Sequence, residues 1–219
     1  MSNILRHISI ANFHYTGETS VLIDHDLRDE LKRINDLSQR GGVEYAGYTS
    51  WNGFEFTKPT ARTDNRKGSV DIPVECLNEH VVYHTHPTPG EGLFSLPSER
   101  DFEMFVAMYP YVQVHLILER DGFLVVSFDW CAHNKPDPKI AYDIFTSFLK
   151  CHHVDQRVVT LDGFTFYMSD VSEWSYAVNQ HVSSFTTRSL GLEIRFVPWE
   201  EDSREIPVLL RNVDRMMLP

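Results

Sequence analysis

One short stretch constrains this chain more than any other: His84-Thr85-His86-Pro87, followed after a Pro/Gly loop by Ser98-Glu99-Arg100-Asp101. The run leading into it, Val81-Val82-Tyr83, is apolar and β-branched or aromatic, the composition of a buried strand. The histidines therefore stand at a strand's end, where alternate residues project to one face and backbones two residues apart are separated by about 7 Å. Two imidazoles so placed can converge on one ion. Downstream, Phe102, Phe105, Val106 and Tyr109 keep helical spacing after Pro97, which puts Ser98 and Asp101 in one helical turn. His84, His86 and Asp101 are thus a candidate metal set. Imidazole and carboxylate are donors that Zn²⁺ takes, and three protein ligands leave a fourth tetrahedral position for water.

Ser98-x-x-Asp101 ahead of an apolar helical run also fits a capping box, and the two roles can coexist because an ion needs only one carboxylate oxygen. The remaining histidines read differently. His80 shares a strand face with His84 but lies about 13 Å away along the strand, too far for a shared ion. His115 alternates with Gln113 and Glu119 in an otherwise apolar run and is expected to face a polar environment. His152 and His153 end a predicted helix, where imidazole meets the helix dipole favourably.

A site of this kind lacks a base. Glu44, in Gly41-Gly42-Val43-Glu44-Tyr45-Ala46-Gly47, supplies a candidate that enters a strand just after a helix stopping at the Gly pair; its alternative is an exposed strand or loop carboxylate. Taken in order, Glu44-x-x-Gly47, His84-x-His86-Pro87 and Ser98-x-x-Asp101 resemble the JAMM motif of MPN-type (JAB-domain) zinc metallopeptidases, over roughly residues 20 to 150. The loop Thr88 to Leu96 is longer than is usual there, an insertion with little entropic cost. The resemblance implies a zinc ion on His84, His86 and Asp101, Glu44 as general base, and Ser98 as hydrogen-bond donor to the developing oxyanion. It further implies hydrolysis of peptide or isopeptide bonds in a protein or peptide substrate, often between ubiquitin or a ubiquitin-like protein and a lysine. A scaffold on the same fold, without catalysis and within a larger assembly, is the alternative. A cupin-type metalloenzyme is a more remote one: His84-x-His86 and Glu91 match part of that motif, but positions 78 and 98 are Asn and Ser rather than Gly, and cupins are all-β. No His-Glu-x-x-His and no Pro-Cys-x-x-Cys occurs.

Composition narrows the classes further. A net charge of −11 over 219 residues argues against nucleic acid as the main partner, since a phosphate backbone needs clustered Lys and Arg. No run approaches the roughly 18 apolar residues of a membrane span, and the N-terminus lacks a signal-peptide layout. Cys76, Cys131 and Cys151 are an odd number at wide spacing, which does not fit a disulfide framework. A soluble, intracellular, cytoplasmic protein is expected.

Along the chain, strands are predicted at Arg6 to Tyr15 and Ser20 to Ile23 around a turn at Thr16-Gly17-Glu18. A helix capped by Asp24 or Asp26 follows, with Leu27, Leu31, Ile34 and Leu37 buried. Glu44 to Trp51 and Phe54 to Thr57 flank Asn52-Gly53 as a type I′ hairpin, and Val70 to Val74 is another short strand. Val112 to Glu119 and Phe123 to Trp130 form a hairpin, and Lys139 to Cys151 a helix with Ile140, Ile144, Phe145, Phe148 and Leu149 on one side. A hairpin at Asp162-Gly163, a helix carrying Val171, Trp174, Val178, Val182 and Phe185, and a strand from Leu192 to Val197 complete the reading. The expected class is α+β: a central mixed sheet flanked by helices, MPN/JAB-like over residues 1–154, with residues 155–219 a hairpin, helix and strand packed on it.

Overall fold

The computed structural model describes residues 15–66, 68–72, 75–76, 79–109, 111–128, 137–151, 157–182, 190–200 and 206–213. In chain order the elements are β1 (Tyr15–Ile23), α1 (His25–Gly41), β2 (Ala46–Thr49), β3 (Val81–Thr85), β4 (Leu93–Ser95) and α2 (Glu99–Met108). Next come β5 (Val114–Glu119), β6 (Gly122–Phe128), α3 (Pro138–Cys151), β7 (Val158–Leu161) and β8 (Phe164–Met168). Last are α4 (Val171–Tyr176), continuing as a π-helical stretch Ala177–Val182, then β9 (Leu192–Pro198) and β10 (Ile206–Val213).

A five-stranded sheet in the order β2-β3-β5-β6-β9 forms the centre. Only β3 and β5 run parallel, joined by the crossover that carries β4 and α2; the other neighbours are antiparallel. The molecule is thus α+β with a mixed central sheet flanked by helices. Both faces of the sheet are covered. On one, Leu27, Leu31 and Ile34 of α1, with Val21 and Ile23 of β1 and Val208 and Leu210 of β10, pack on Tyr83, Leu116, Leu118 and Val125. On the other, Phe102 and Phe105 of α2, Phe145 of α3, and Trp174 and Val178 pack on Ile117, Leu124 and Val126.

Double coverage explains why β3 and β5 are buried along their whole lengths and read as continuous apolar runs rather than alternating ones. It also corrects the expectation for His115. Its face is not polar: the imidazole is 1 % exposed, lies against the Phe105 ring at 4.5 Å between centroids, and neither ring nitrogen has a hydrogen-bond partner among the described residues.

The segment after residue 155 supplies β9 to the central sheet, β8 as the partner of β4, and β10 as the partner of β1. β7 and β8 close on Asp162 and Gly163, both at positive φ as a two-residue type I′ turn needs. Among the described residues no helix is long and apolar enough to cross a membrane.

Several local expectations change. Thr16-Gly17-Glu18 is not a turn but part of β1, whose pairing with β10 shifts register between Tyr15 and Gly17. Asn52-Gly53 opens a four-residue loop closed by the Trp51–Phe56 bridge, because the Asn52 carboxamide binds the Phe54 and Glu55 amides. Residues 70–72 form no strand, and positions 73 and 74 lie outside the described residues, as do most of Arg6 to Tyr15, His152, His153 and Phe185. Leu37 and Ile140 are exposed, and α3 buries Ala141 with Phe145 and Leu149 instead.

Candidate metal centre

His84 sits next to last in β3, and His86 lies one residue beyond the strand. The extended path is kept there because the His86 amide donates to Leu118 O at 2.8 Å and its carbonyl accepts from Gln39 Nε2 at 3.1 Å. Both imidazoles therefore project to the α2 face. Thr85 points the other way, bonding the Tyr45 amide and the Ser38 hydroxyl of α1 at 2.8 and 2.7 Å. His84 Nε2 and His86 Nε2 face each other at 3.0 Å. Two lone pairs this close require a proton or a cation between them.

The third donor comes from the first turn of α2. Ser98 is the N-cap, and its hydroxyl accepts from the Asp101 amide while Asp101 Oδ2 accepts from the Ser98 amide at 2.6 Å. Oδ2 also takes the Ser98 hydroxyl proton at 2.8 Å. The two carboxylate oxygens thus divide their work, Oδ2 capping the helix and Oδ1 standing 3.3 Å from His84 Nε2. His84, His86 and Asp101 offer ligand atoms all within 4.8 Å of one another. Zinc ligands at about 2.0–2.1 Å in tetrahedral array stand about 3.3–3.4 Å apart; the His84–His86 and His84–Asp101 pairs lie near that spacing, and the His86–Asp101 pair, 3.9 Å apart through Oδ2, has to close to reach it.

Electrostatics set the three groups apart. Burial raises the Asp101 carboxyl, but the His84 charge and hydrogen bond, His86 and the Ser98 hydroxyl outweigh it and hold the group below the usual carboxylate range. Burial likewise lowers His84, yet Asp101 and Glu44 prevail and raise it. For His86 burial dominates, with the His84 charge adding to it, and the ring is pushed down to about 4, leaving it neutral at pH 7 as a ligand must be.

Glu44 lies two residues before β2, past the left-handed Gly42 that terminates α1, and is buried at 9 % exposure. Burial raises its carboxyl to about 7, with His84 opposing and Asp101 reinforcing. Glu44, His84, His86, Ser98 and Asp101 all line one cleft of about 830 Å³, near the upper end of the range for small-molecule sites. The exposed Leu161 and Phe164 of the β7–β8 hairpin form part of its wall. The Ser98 hydroxyl has a single proton to donate, and in this structure it donates it to Asp101 Oδ2.

Sequence reading missed the residues that hold the site from behind. Gln39 Oε1 accepts from the Thr88 amide at 2.9 Å and its Nε2 binds His86 O, while Arg120 reaches Thr88 O at 2.8 Å. Asn35 donates to Glu119 O at 2.7 Å, and Ser95 binds His86 Nδ1 at 2.8 Å. A signal existed for Asn35, as for Ser38 behind Thr85: both interrupt the apolar stripe of α1 one turn after Leu31 and Ile34, where a polar side chain has to find a buried partner. No family model, curated protein or solved structure matches the chain.

Proposed function

We propose that this chain is a zinc-dependent hydrolase of peptide or isopeptide bonds with the MPN/JAB-like organisation its motif resembles. The observation that carries the reading is the convergence of two imidazoles and one carboxylate oxygen in a cleft that also holds a buried glutamate balanced near neutrality. His84 Nε2, His86 Nε2 and Asp101 Oδ1 would hold the ion. Zinc, when bound, supplies a Lewis acid for the scissile carbonyl and lowers the pKa of water toward about 7.

The protein's own part is proton handling and orientation. Glu44 takes a proton from the attacking water and gives it to the leaving nitrogen, so that the new C–O bond and the broken C–N bond leave no net proton behind. A base near pH 7 is well matched to that duty. Ser98 is the hydroxyl assigned to the oxygen that becomes negative, a role for which it must release Asp101 Oδ2. Loss of one such donor lowers kcat by about 10²–10³-fold. The apolar side chains of the β7–β8 wall hold the substrate's own apolar groups, and a protein or peptide, ubiquitin-like conjugates included, is the proposed substrate class.

The test pairs two variants. Glu44→Gln is expected to retain zinc and to lose cleavage of a sensitive peptide or conjugate; wild-type turnover by Glu44→Gln would contradict the base assignment. Asp101→Asn is expected to lower zinc content, read by metal analysis of purified protein, and full retention removes Asp101 from the ligand set.

A further inference from the structure

The cleft does not end at the three donors. On α2, Arg100, Asp101, Met104, Ala107 and Met108 all line it, spaced as one face of a helix, while Phe102 and Phe105 turn into the core. At 1.5 Å per residue, this lining runs about 10 Å along the helix from Asp101 to Met108. We propose that Met104, with Ile72 and Cys76 from the segment ahead of β3, forms a specificity subsite that takes a Leu-, Met- or Phe-sized side chain of the substrate next to the scissile bond. The inference rests on the hydrolase reading above and narrows its substrate class.

This part of the lining is apolar and firmly backed. Met104 and Ile72 are half-buried and pack on a small core cluster of Cys76, Val82, Met108 and Val112, which leaves their remaining surface to the cleft. Met108 and Cys76 close its depth at 6 % and 1 % exposure. Burial pushes the Cys76 thiol up to about 12, so it stays neutral and acts as a small apolar group. Arg100 and Asp71 also line the cleft, but both are mostly exposed and pair with each other at 3.9 Å. An apolar side chain seated on Met104 therefore strands neither charge. Behind His86 the lining is polar by contrast, contributed by Gln39, Thr88 and Arg120.

The occupant follows from how close this surface lies to the chemistry. Met104 stands three residues beyond Asp101 in the same helix, about 4.5 Å along its axis. Successive residues of an extended chain are about 3.3 Å apart, so a residue flanking a bond broken beside Asp101 brings its side chain onto Met104. Methionine is unbranched and polarizable and moulds itself to side chains of different shape, which suits a subsite that admits Leu, Met and Phe alike. Glycine at that place has no side chain to fill it, and the area left wet is lost binding.

The test uses the full chain and two readouts. The first is methionine methyl ¹³C NMR during titration with N-acetyl-leucinamide or N-acetylglycinamide, with the Met104 signal assigned through Met104→Leu. The Met104 methyl is expected to move with the leucine compound and not with the glycine one, while Met168, exposed and outside the cleft, stays in place. The second is digestion of a proteome-derived peptide pool by zinc-loaded protein, with the cut sites read by mass spectrometry. Cuts are expected beside Leu, Met or Phe, and in a matched peptide pair Leu in place of Gly is expected to raise kcat/KM at least about 10-fold, the worth of even one methylene in an apolar pocket. Met104→Ala enlarges the subsite and is expected to move the preference toward Phe and Trp; Met104→Trp fills it and is expected to move the preference toward Gly and Ala. A purely structural Met104 would alter stability or overall rate and leave those ratios unchanged. A Met104 methyl that answers both compounds equally, or neither, overturns the subsite, as does a Leu-to-Gly ratio near one that neither variant shifts. Leucine-selective binding at Met104 without cleavage of any peptide supports the subsite and counts against the hydrolase reading instead, which keeps the two failures distinct.

Discussion

At the scale of single residues, His115 shows what full burial does to a titratable side chain. Burial, with the His84 charge adding to it and Asp101 opposing, pushes its imidazole down to about 3. The sign of the consequence follows from linkage. Between the unfolded value near 6.5 and the folded value near 3, the unfolded chain binds a proton that the folded chain refuses, so stability falls as pH falls through that window. The slope is at most about 1.4 kcal/mol per pH unit for one proton. His115→Leu is expected to fold at pH 7 with little loss, because both ring nitrogens lack partners among the described residues, and to unfold less readily than wild type at pH 5. Urea midpoints at the two pH values check this, and a wild-type minus variant difference independent of pH would contradict it. Gly47 makes a second residue-scale case: a Cβ there would run into the Thr60 carbonyl, which already accepts from the Tyr83 hydroxyl. Gly47→Ala is expected to cost about 1–3 kcal/mol in chemical denaturation, the usual penalty of overpacking.

Among the elements, α1 does more than cover the sheet. Its apolar stripe packs on one face while Asn35, Ser38 and Gln39 bind the backbone or side chains of Glu119, Val43, Thr85, His86 and Thr88. Gln39→Ala removes bonds to both His86 O and the Thr88 amide, and is expected to weaken zinc binding while leaving the far-ultraviolet circular dichroism unchanged. Wild-type zinc affinity in that variant would show that the strap after β3 needs no such clamp. The convergence of the three candidate donors was legible in the sequence because their geometry is local: a strand's alternation orients His84 and His86, and one helical turn orients Asp101. The clamp was not, since Gln39 meets His86 only after the chain has folded back across 47 positions. β4 was hidden for the same reason: Leu93-Phe94-Ser95 is too short to be periodic and becomes a strand only by pairing with β8.

For the whole molecule, the organisation is set by long-range pairing of the chain's ends. β10 closes on β1, and β9 extends the central sheet at β6, where Asn179 of the π-helical stretch binds both the amide and the carbonyl of Phe196 at 2.7 and 2.8 Å. A chain ending at residue 190 loses Leu192, Ile194 and Phe196 from one core and Val208 and Leu210 from the other. It is expected to show no cooperative thermal transition; a sharp transition near the full-length midpoint would mean that residues 15–182 stand alone. None of this pairing is written in local periodicity, and β10 went unread because Ile206-Pro207-Val208-Leu209-Leu210 carries a proline that a strand tolerates only at selected positions. The central claim, that this scaffold brings two strand-end imidazoles and one helix-cap carboxylate onto a single divalent cation, is tested most directly by anomalous diffraction at the zinc edge on crystals grown with zinc. One strong peak is expected about 2.0–2.2 Å from His84 Nε2, His86 Nε2 and Asp101 Oδ1 together. A peak bound by other residues, or none at these three in zinc-saturated crystals, would contradict it.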